Sequence, residues 1–338
     1  MLNTIGCRLH PFLQKKLAAT AFAASMIIAV PLAAGPAHAA DDYPSRPVSL
    51  VLAYPPGGAV DFVGRLLARN LESALGQTVI VENRPGGGSV IGTSVVTRAQ
   101  PDGYTLLLAD PALIINPSFM KSVPYDAKKD LVPISTVTVS PLVLVVPGES
   151  KLKTLDDLIK EGKSRSSGLN FASAGLGTTP HMAGELLKAR TETNLVHVPY
   201  KGSGPAMTDL VAGLVDFAFA TQPAAVSYIG ANRLRGLATT GAERSKRLPD
   251  LPTISETVPN FNVQFWTALF APGGTPQPVL DKLNAAVRKT LETPDVLAAL
   301  EKAGENPVYM PLDEASAFIA KEEQMWSKVV ADGNLKQN

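Results

Sequence analysis

The sequence predicts a two-lobed α/β protein in which each lobe is a mostly parallel sheet covered by helices. Three observations predict it. Apolar strand-like runs alternate with amphipathic helical segments along almost the whole chain, a pattern that calls for parallel pairing through crossover helices. About 298 of the 338 residues follow a basic, apolar leader, too many for one comfortable core. Two β-rich segments, Leu131–Val146 and Val263–Ala271, are placed to carry the chain out of a first lobe and back into it.

The leader reads as a cleavable secretory signal peptide over residues 1–40. Arg8, Lys15 and Lys16 precede an Ala-rich stretch from Leu17 to Ala34, and no acidic residue occurs before Asp41. Ala37-His38-Ala39 is a small-x-small site, so cleavage is expected after Ala39 or Ala40. Pro31 and Gly35 interrupt the stretch, whereas a spanning helix needs about 20 apolar residues. Cys7 lies upstream of the apolar stretch, where it cannot take a lipid at the cleavage point. Removing three basic residues from 31 Lys+Arg leaves 28 against 30 Asp+Glu, so nothing favours nucleic-acid binding. The remaining chain has no Cys and only His181 and His197, which removes disulfides and Cys/His zinc sites.

The elements follow in order. Val48–Tyr54 is a buried strand broken by Pro55-Pro56-Gly57-Gly58, and Val60, Val63, Leu67, Leu71 and Leu75 mark a helix that Gly76 stops. Thr78–Glu82 and Tyr104–Ala109 are strands, with a helix between that runs to about Ala99. Leu131–Val146, interrupted by Pro141, reads as one outgoing strand. Thr154 caps a short helix to Glu161. Leu169–Ala172, Leu195–Tyr200, Asp216–Ala220 and Leu234–Thr240 are strands, with helices after Pro180 (capped by Thr179), from Pro205 to Ala212, and between the last two strands. Helices opened by Pro276 and Pro294, then one from about Asp313 to Val330, complete the first lobe. Lobe 1 is expected over 41–141 plus 267–338 and lobe 2 over 142–266, joined as a hinge.

Three segments share one grammar of strand, Gly-rich turn and helix: Val51–Asp61, Asn170–His181 and Val198–Met207. Such turns lie at the carboxyl ends of parallel strands, where ligands bind, and offer backbone N–H groups at the positive end of a helix. Together they form an anion site that needs no arginine. The catalytic signatures fail. The dinucleotide fingerprint from Gly175 ends on Pro180, the P-loop meets Asp157 where it needs Gly, and the nucleophile elbow around Ser173 meets Phe171. His181 reads as a support for its loop, or as a ligand contact. Asp61 suits the dipole of its helix, and Trp266 either walls the cleft or packs the hinge.

These residues carry a resemblance. Tyr54-Pro55-Pro56-Gly57-Gly58-Ala59-Val60-Asp61, Glu82-Asn83-Arg84-Pro85-Gly86-Gly87-Gly88, Pro101-Asp102-Gly103-Tyr104, Ser173–Glu185, Val198-Pro199-Tyr200-Lys201-Gly202 and Ala271–Pro276 occur in the right order across the chain. The chain thereby resembles the Bug-type receptors, the substrate-binding proteins of tripartite tricarboxylate transporters. The resemblance implies a periplasmic location and a periplasmic-binding-protein fold of the Venus-flytrap type II kind. It implies a small carboxylate ligand, no cofactor, no catalytic residues and no metal. The implied partners are one large and one small integral membrane subunit, and a monomer is expected. With the loops read above, it places ligand contacts at Tyr54, Pro56, Gly57, Gly58, Ala59, Asp61, Ser173, Ala174, Gly177, Thr178, Thr179, His181 and Lys201, and Asp110 and Gln222 are expected to join them at positions that depart from the family pattern. Asp110 departs from the usual run of small hydroxyl residues and is expected to face the cleft as an acceptor for an ammonium or hydroxyl. The residues themselves leave two alternatives open, a secreted α/β hydrolase and a sensor that presents its ligand to a signalling partner.

Overall fold

The computed structural model describes residues 43–336, so the expected signal peptide lies outside the described residues. The chain begins with β1 (Val48–Leu52), α1 (Ala59–Leu75), β2 (Val79–Asn83), α2 (Val90–Thr97) and β3 (Thr105–Ala109). α3 (Ala112–Phe119) and the single turn α4 (Ala127–Asp130) lead into the long strand β4 (Leu131–Pro141). Then come β5 (Val143–Pro147), α5 (Leu155–Ser164), β6 (Leu169–Ser173), α6 (Thr179–Thr191), β7 (Leu195–Pro199), α7 (Ser203–Val211), β8 (Phe217–Ala220), α8 (Gln222–Gly230) and β9 (Leu234–Thr239). The return strand β10 (Gln264–Pro272) precedes α9 (Gln277–Leu291), α10 (Pro294–Ala303) and α11 (Leu312–Asp332).

These strands form two five-stranded sheets, ordered β2-β1-β3-β10-β4 and β7-β6-β8-β5-β9. In the first, β1 pairs parallel with β2 and β3, while β10 is antiparallel to β3 and β4. In the second, β6 pairs parallel with β7 and β8, while β5 is antiparallel to β8 and β9. Four strands of each sheet therefore point the same way. The reversed strand in each, β10 or β5, is the one that has just crossed from the other sheet. The result is the two-lobed α/β architecture expected from the sequence, with each sheet mixed rather than purely parallel.

Sequence patterning explains the elements. β1 is buried along nearly its whole length, as a strand covered on both faces must be. α1 buries Val60, Val63, Leu67, Leu71 and Leu75 on one stripe. Gly76 ends it in the left-handed region, φ 71°, with its N–H on the Glu72 carbonyl. α5 carries a full capping box between Thr154 and Asp157.

Three expectations are corrected. Leu131–Val146 is not one strand but two, β4 and β5, in different sheets with only Leu142 between them. Pro141 has no N–H to extend the ladder and is the last residue of β4. Thr179 lies inside α6, and the cap position is Thr178. α3 was not foreseen, because Leu113, Ile114, Ile115 and Asn116 are all buried and leave no polar face to reveal a 3.6-residue period.

The two crossings are fastened to each other. The Leu142 N–H donates to Thr240 Oγ1 at 2.8 Å, and the Thr240 N–H donates to the Leu142 carbonyl at 3.0 Å. The Val263 N–H donates to the Thr240 carbonyl at 2.9 Å, and the Thr240 hydroxyl donates to the Val263 carbonyl at 2.6 Å. Trp266 on β10 is fully buried, donates to Glu322 at 3.1 Å and packs edge-on against Phe318 of α11. It therefore packs the hinge side of the first sheet, the second of the roles weighed for it.

Close packing also makes a stability prediction. A Cβ at Gly184 of α6 would overlap the ring of Phe171, which is fully buried and has nowhere to go. Gly184→Ala is expected to destabilise the protein by about 1–3 kcal/mol despite the better helix propensity of alanine. Urea denaturation checks this, and an unchanged or raised midpoint contradicts it.

Candidate functional site

A cavity of about 160 Å³ lies between the two sheets. From the first sheet it is lined by Tyr54, Pro55, Pro56, Gly58, Ala59, Val60, Asp110 and Phe265. From the second it is lined by Ala174, Thr178, Pro180, Lys201, Ser203, Gly204, Pro205 and Thr221. These positions include the starts of α1, α6, α7 and α8, plus the residue that leads into α3. β1, β3, β6, β7 and β8 run toward the cavity, and the segments that follow them into α1, α3, α6, α7 and α8 line it, as the carboxyl edge of an α/β sheet requires.

The helix starts share a second property. The cap residues Gly58, Thr178, Gly202 and Thr221 make no side-chain capping hydrogen bond. Away from the cavity, Thr154 caps α5 and Asp126 caps α4 with its side chain, whereas α2, α9, α10 and α11 also start without a side-chain cap. A helix start needs partners for its first N–H groups. What sets these four starts apart is that they meet around one cavity. Their partial positive charges converge on that space, with the Lys201 ammonium at its wall.

Other sequence-predicted residues stand behind the lining. Asp61 is buried and accepts from the Gly57 N–H at 3.0 Å, from Arg65 Nε at 3.0 Å and from Asn83 Nδ2 at 3.0 Å. Burial pushes its carboxyl up, but the hydrogen bonds from Arg65, Gly57 and Asn83 outweigh burial and leave it below the usual carboxylate range. Asn83 also donates to the Tyr54 carbonyl at 2.9 Å, so the Pro-Pro-Gly-Gly loop is pinned from below. Asp61 is a support for that loop, with Gly57 supplying the φ of 93° the turn needs.

The second loop has a matching support. Ser173 Oγ donates to the Gly175 carbonyl at 3.0 Å and accepts from the Gly175 N–H at 3.1 Å. Thr178 Oγ1 donates to the same carbonyl at 2.7 Å. His181 Nδ1 accepts from the Gly177 N–H at 3.1 Å, which resolves its role as loop support. Its ring stacks on His197 at 3.8 Å, and His197 Nε2 lies 2.6 Å from Ser173 Oγ. That spacing is short enough for a nucleophile and its base. Yet Ser173, at the end of β6, is buried, engaged by Gly175 and absent from the cavity wall, and Thr179 at the start of α6 is likewise fully buried. The pair is a latch.

Gln222 is also buried away from the cavity. It donates to Ser245 Oγ at 3.1 Å, and its side chain crowds Gly304 at the end of α10. Thus Tyr54, Pro56, Gly58, Ala59, Asp110, Ala174, Thr178 and Lys201 line the cavity as expected, while Gly57, Asp61, Ser173, Gly177, Thr179, His181 and Gln222 do not. The predicted set lacked Pro55, Val60, Pro180 and Thr221, which adjoin predicted residues, and also Ser203, Gly204, Pro205 and Phe265. Ser203, Gly204 and Pro205 sit in a Gly-rich turn already recognised. Phe265 neighbours Trp266, and alternation along a strand gives the two opposite faces.

The lobes touch around the cavity mouth. A Cβ at Gly88 would overlap the Leu176 carbonyl oxygen, and one at Gly177 would overlap the side-chain oxygen of Asn116. Asn116 Nδ2 donates to the Gly88 carbonyl at 2.7 Å, and Phe119 meets His181 edge-on at 5.2 Å.

The histidine pair sets a pH dependence. Burial and the facing His197 push His181 down to about 3, and burial pushes His197 down to about 4. Both values lie below the ordinary histidine value near 6.5. The stability they contribute is complete above that value and is lost as pH falls toward 4 and then 3. Asp110 and Glu305, raised to about 7 by burial, act in the opposite sense, losing stability as pH rises from about 4 to 7. His197→Gln is therefore expected to flatten the fall in unfolding midpoint between pH 6.5 and 4.5 relative to the parent. Parallel pH profiles would contradict it.

Comparisons with known proteins agree with this geometry. The family model described as tripartite tricarboxylate transporter family receptor matches residues 63–335. Protein BugT of Bordetella pertussis is 40% identical over 318 residues, covering 93% of this chain and 96% of BugT. The structure of the periplasmic binding protein BugD superposes with a TM-score of 0.84 at 32% identity, covering 88% of this chain and 100% of BugD. Rhodopseudomonas palustris Rpa4515, solved with adipate, gives 0.84 at 31% identity over 87% of this chain and 99% of its own. MatC from the same organism, solved with malate, gives 0.81 at 31% identity over 85% and 100%. With its two lobes, its helix-lined cavity and these relatives, the chain belongs to the tripartite tricarboxylate transporter receptor family of periplasmic solute-binding proteins.

Proposed function

We propose that this protein captures a small carboxylate, most simply a dicarboxylate, in the cavity between its lobes. It then delivers that ligand to the large and small integral membrane subunits of a tripartite tricarboxylate-type transporter. The observation that carries the reading is the convergence of four helix starts without side-chain caps on one cavity. Backbone N–H groups at a helix start bind anions without any cationic side chain. The adipate and malate held by two relatives are both dicarboxylates, which supports the ligand class. The cavity is smaller than the ~300–1,000 Å³ of pockets for drug-sized ligands, so the acid is a small one.

In this reading one carboxylate sits between the loop of Tyr54, Pro56, Gly58 and Ala59 and the loop of Ala174 and Thr178. Gly57, Asp61, Ser173, Gly177, Thr179 and His181 hold those loops in register, and Lys201 adds charge at the wall. Gln222 fastens the far side of the lobes in the closed form. Bending at Leu142 and Val263 opens the cleft, and the ligand offsets the cost of closing it. The protein acts as a monomer after an N-terminal signal peptide has been removed.

Two measurements test this. A thermal-shift screen with small mono-, di- and tricarboxylates is expected to reveal at least one stabilising acid. A ligand at a hundredfold excess over Kd adds about 2.7 kcal/mol. No shift across the panel counts against the ligand class. With the best acid, small-angle scattering is expected to show compaction of the parent. Gly88→Val places bulk against the Leu176 carbonyl and is expected to abolish that compaction and weaken binding at least tenfold. A variant that binds and compacts like the parent contradicts closure through this contact.

A further inference from the structure

Asp110 is the one acidic residue on the cavity wall, and it is almost completely buried. Its Oδ1 accepts from the Ala112 N–H at 3.1 Å, which caps the start of α3. No Lys or Arg among the described residues pairs with it, and Oδ2 makes no hydrogen bond of ordinary geometry. Beside it lie the hydroxyls of Tyr54 and Tyr125, and Ser89 lies next to Tyr54. The Tyr54 hydroxyl faces both Asp110 and Ser89, but neither it nor Ser89 Oγ completes a hydrogen bond of ordinary geometry. A cap alone needs neither a cavity position nor a second unpaired oxygen.

The surroundings make this corner chemically odd. The other walls collect helix starts that favour an anion, whereas a carboxylate here repels one. A plain acid seated on those helix starts leaves the second oxygen of Asp110 with no donor but the neighbouring Tyr54 hydroxyl. An acid that carries a hydrogen-bond donor near its carboxylate satisfies that oxygen. Sites built to pair with a ligand donor reject analogues lacking it, because their own buried polar groups are then stranded.

We infer that Asp110, with the Tyr54 hydroxyl beside it, is a specificity-determining subsite for the donor group of the ligand. It selects acids bearing an ammonium or hydroxyl next to a carboxylate over the same acids without one. This rests on the carboxylate-receptor reading and narrows it.

The test uses calorimetric titration of the protein with matched sets: succinate, malate and aspartate, then adipate, 2-hydroxyadipate and 2-aminoadipate. In the parent, a donor-bearing member of one set is expected to bind at least tenfold tighter than its plain counterpart. Asp110→Asn and Asp110→Ser both keep an acceptor for the Ala112 N–H. Each is expected to bring that ratio within about threefold of unity. If the donor is an ammonium, titrations at pH 7 in buffers of different ionisation enthalpy are expected to show proton release from Asp110, whose carboxyl sits at about 7, and none from either variant. Preference for a hydroxy acid without proton release identifies the hydroxyl instead. Plain acids that bind as tightly as their donor-bearing partners, or a ratio unchanged in Asp110→Asn, overturn this inference and leave the receptor reading standing. Failure of every acid to bind the parent overturns both.

Discussion

The first turn of an α-helix has N–H groups that must find acceptors, and this fold leaves four such turns open toward one space. Everything else in the molecule serves to hold them there. A parallel sheet puts every strand end, and so every helix start, on the same edge. Two such edges facing each other double the number of main-chain donors. The reversed strands β5 and β10 are the connection that makes this possible, because each enters its sheet from the opposite lobe. Thr240 then ties both crossings together through hydrogen bonds to Leu142 and Val263.

Donors of this kind work only if the loops that carry them are rigid. The protein places its titratable groups behind the loops for that purpose. Asp61 gathers three donors under the first loop, and the Ser173, His181 and His197 cluster braces the second. A charged residue at either position adds field to the site only indirectly. Its main effect is to fix where the N–H groups point. The histidines do this as neutral rings, since His181 must accept from the Gly177 N–H and a protonated ring cannot. The same burial that makes them good braces makes them vulnerable to acid.

Much of the fold was legible because strand and helix periods alternate cleanly, and the three Gly-rich turns located three of the helix starts. What escaped was of two kinds. α3 and the break at Leu142 lie in segments buried almost throughout, where no exposed polar stripe marks a period. Within the turns, sequence distance did not separate wall from support. Tyr54 and Asp61 belong to one motif, yet one lines the cavity and the other holds the loop from behind. Phe265 reaches the wall only through tertiary placement. Asp110 was legible as unusual, but its burial, its cap to Ala112 and its unpartnered neighbours emerge only from the packing.

The central claim is that main-chain N–H groups at helix starts, not cationic side chains, hold the ligand carboxylate. A crystal structure of the protein with its tightest-binding acid tests this most directly. The account predicts carboxylate oxygens about 2.7–3.2 Å from amide nitrogens in the first turns of α1 and α6, and no Arg in contact. A carboxylate held by Lys201 or another cation alone, with those first turns facing only water, would contradict it.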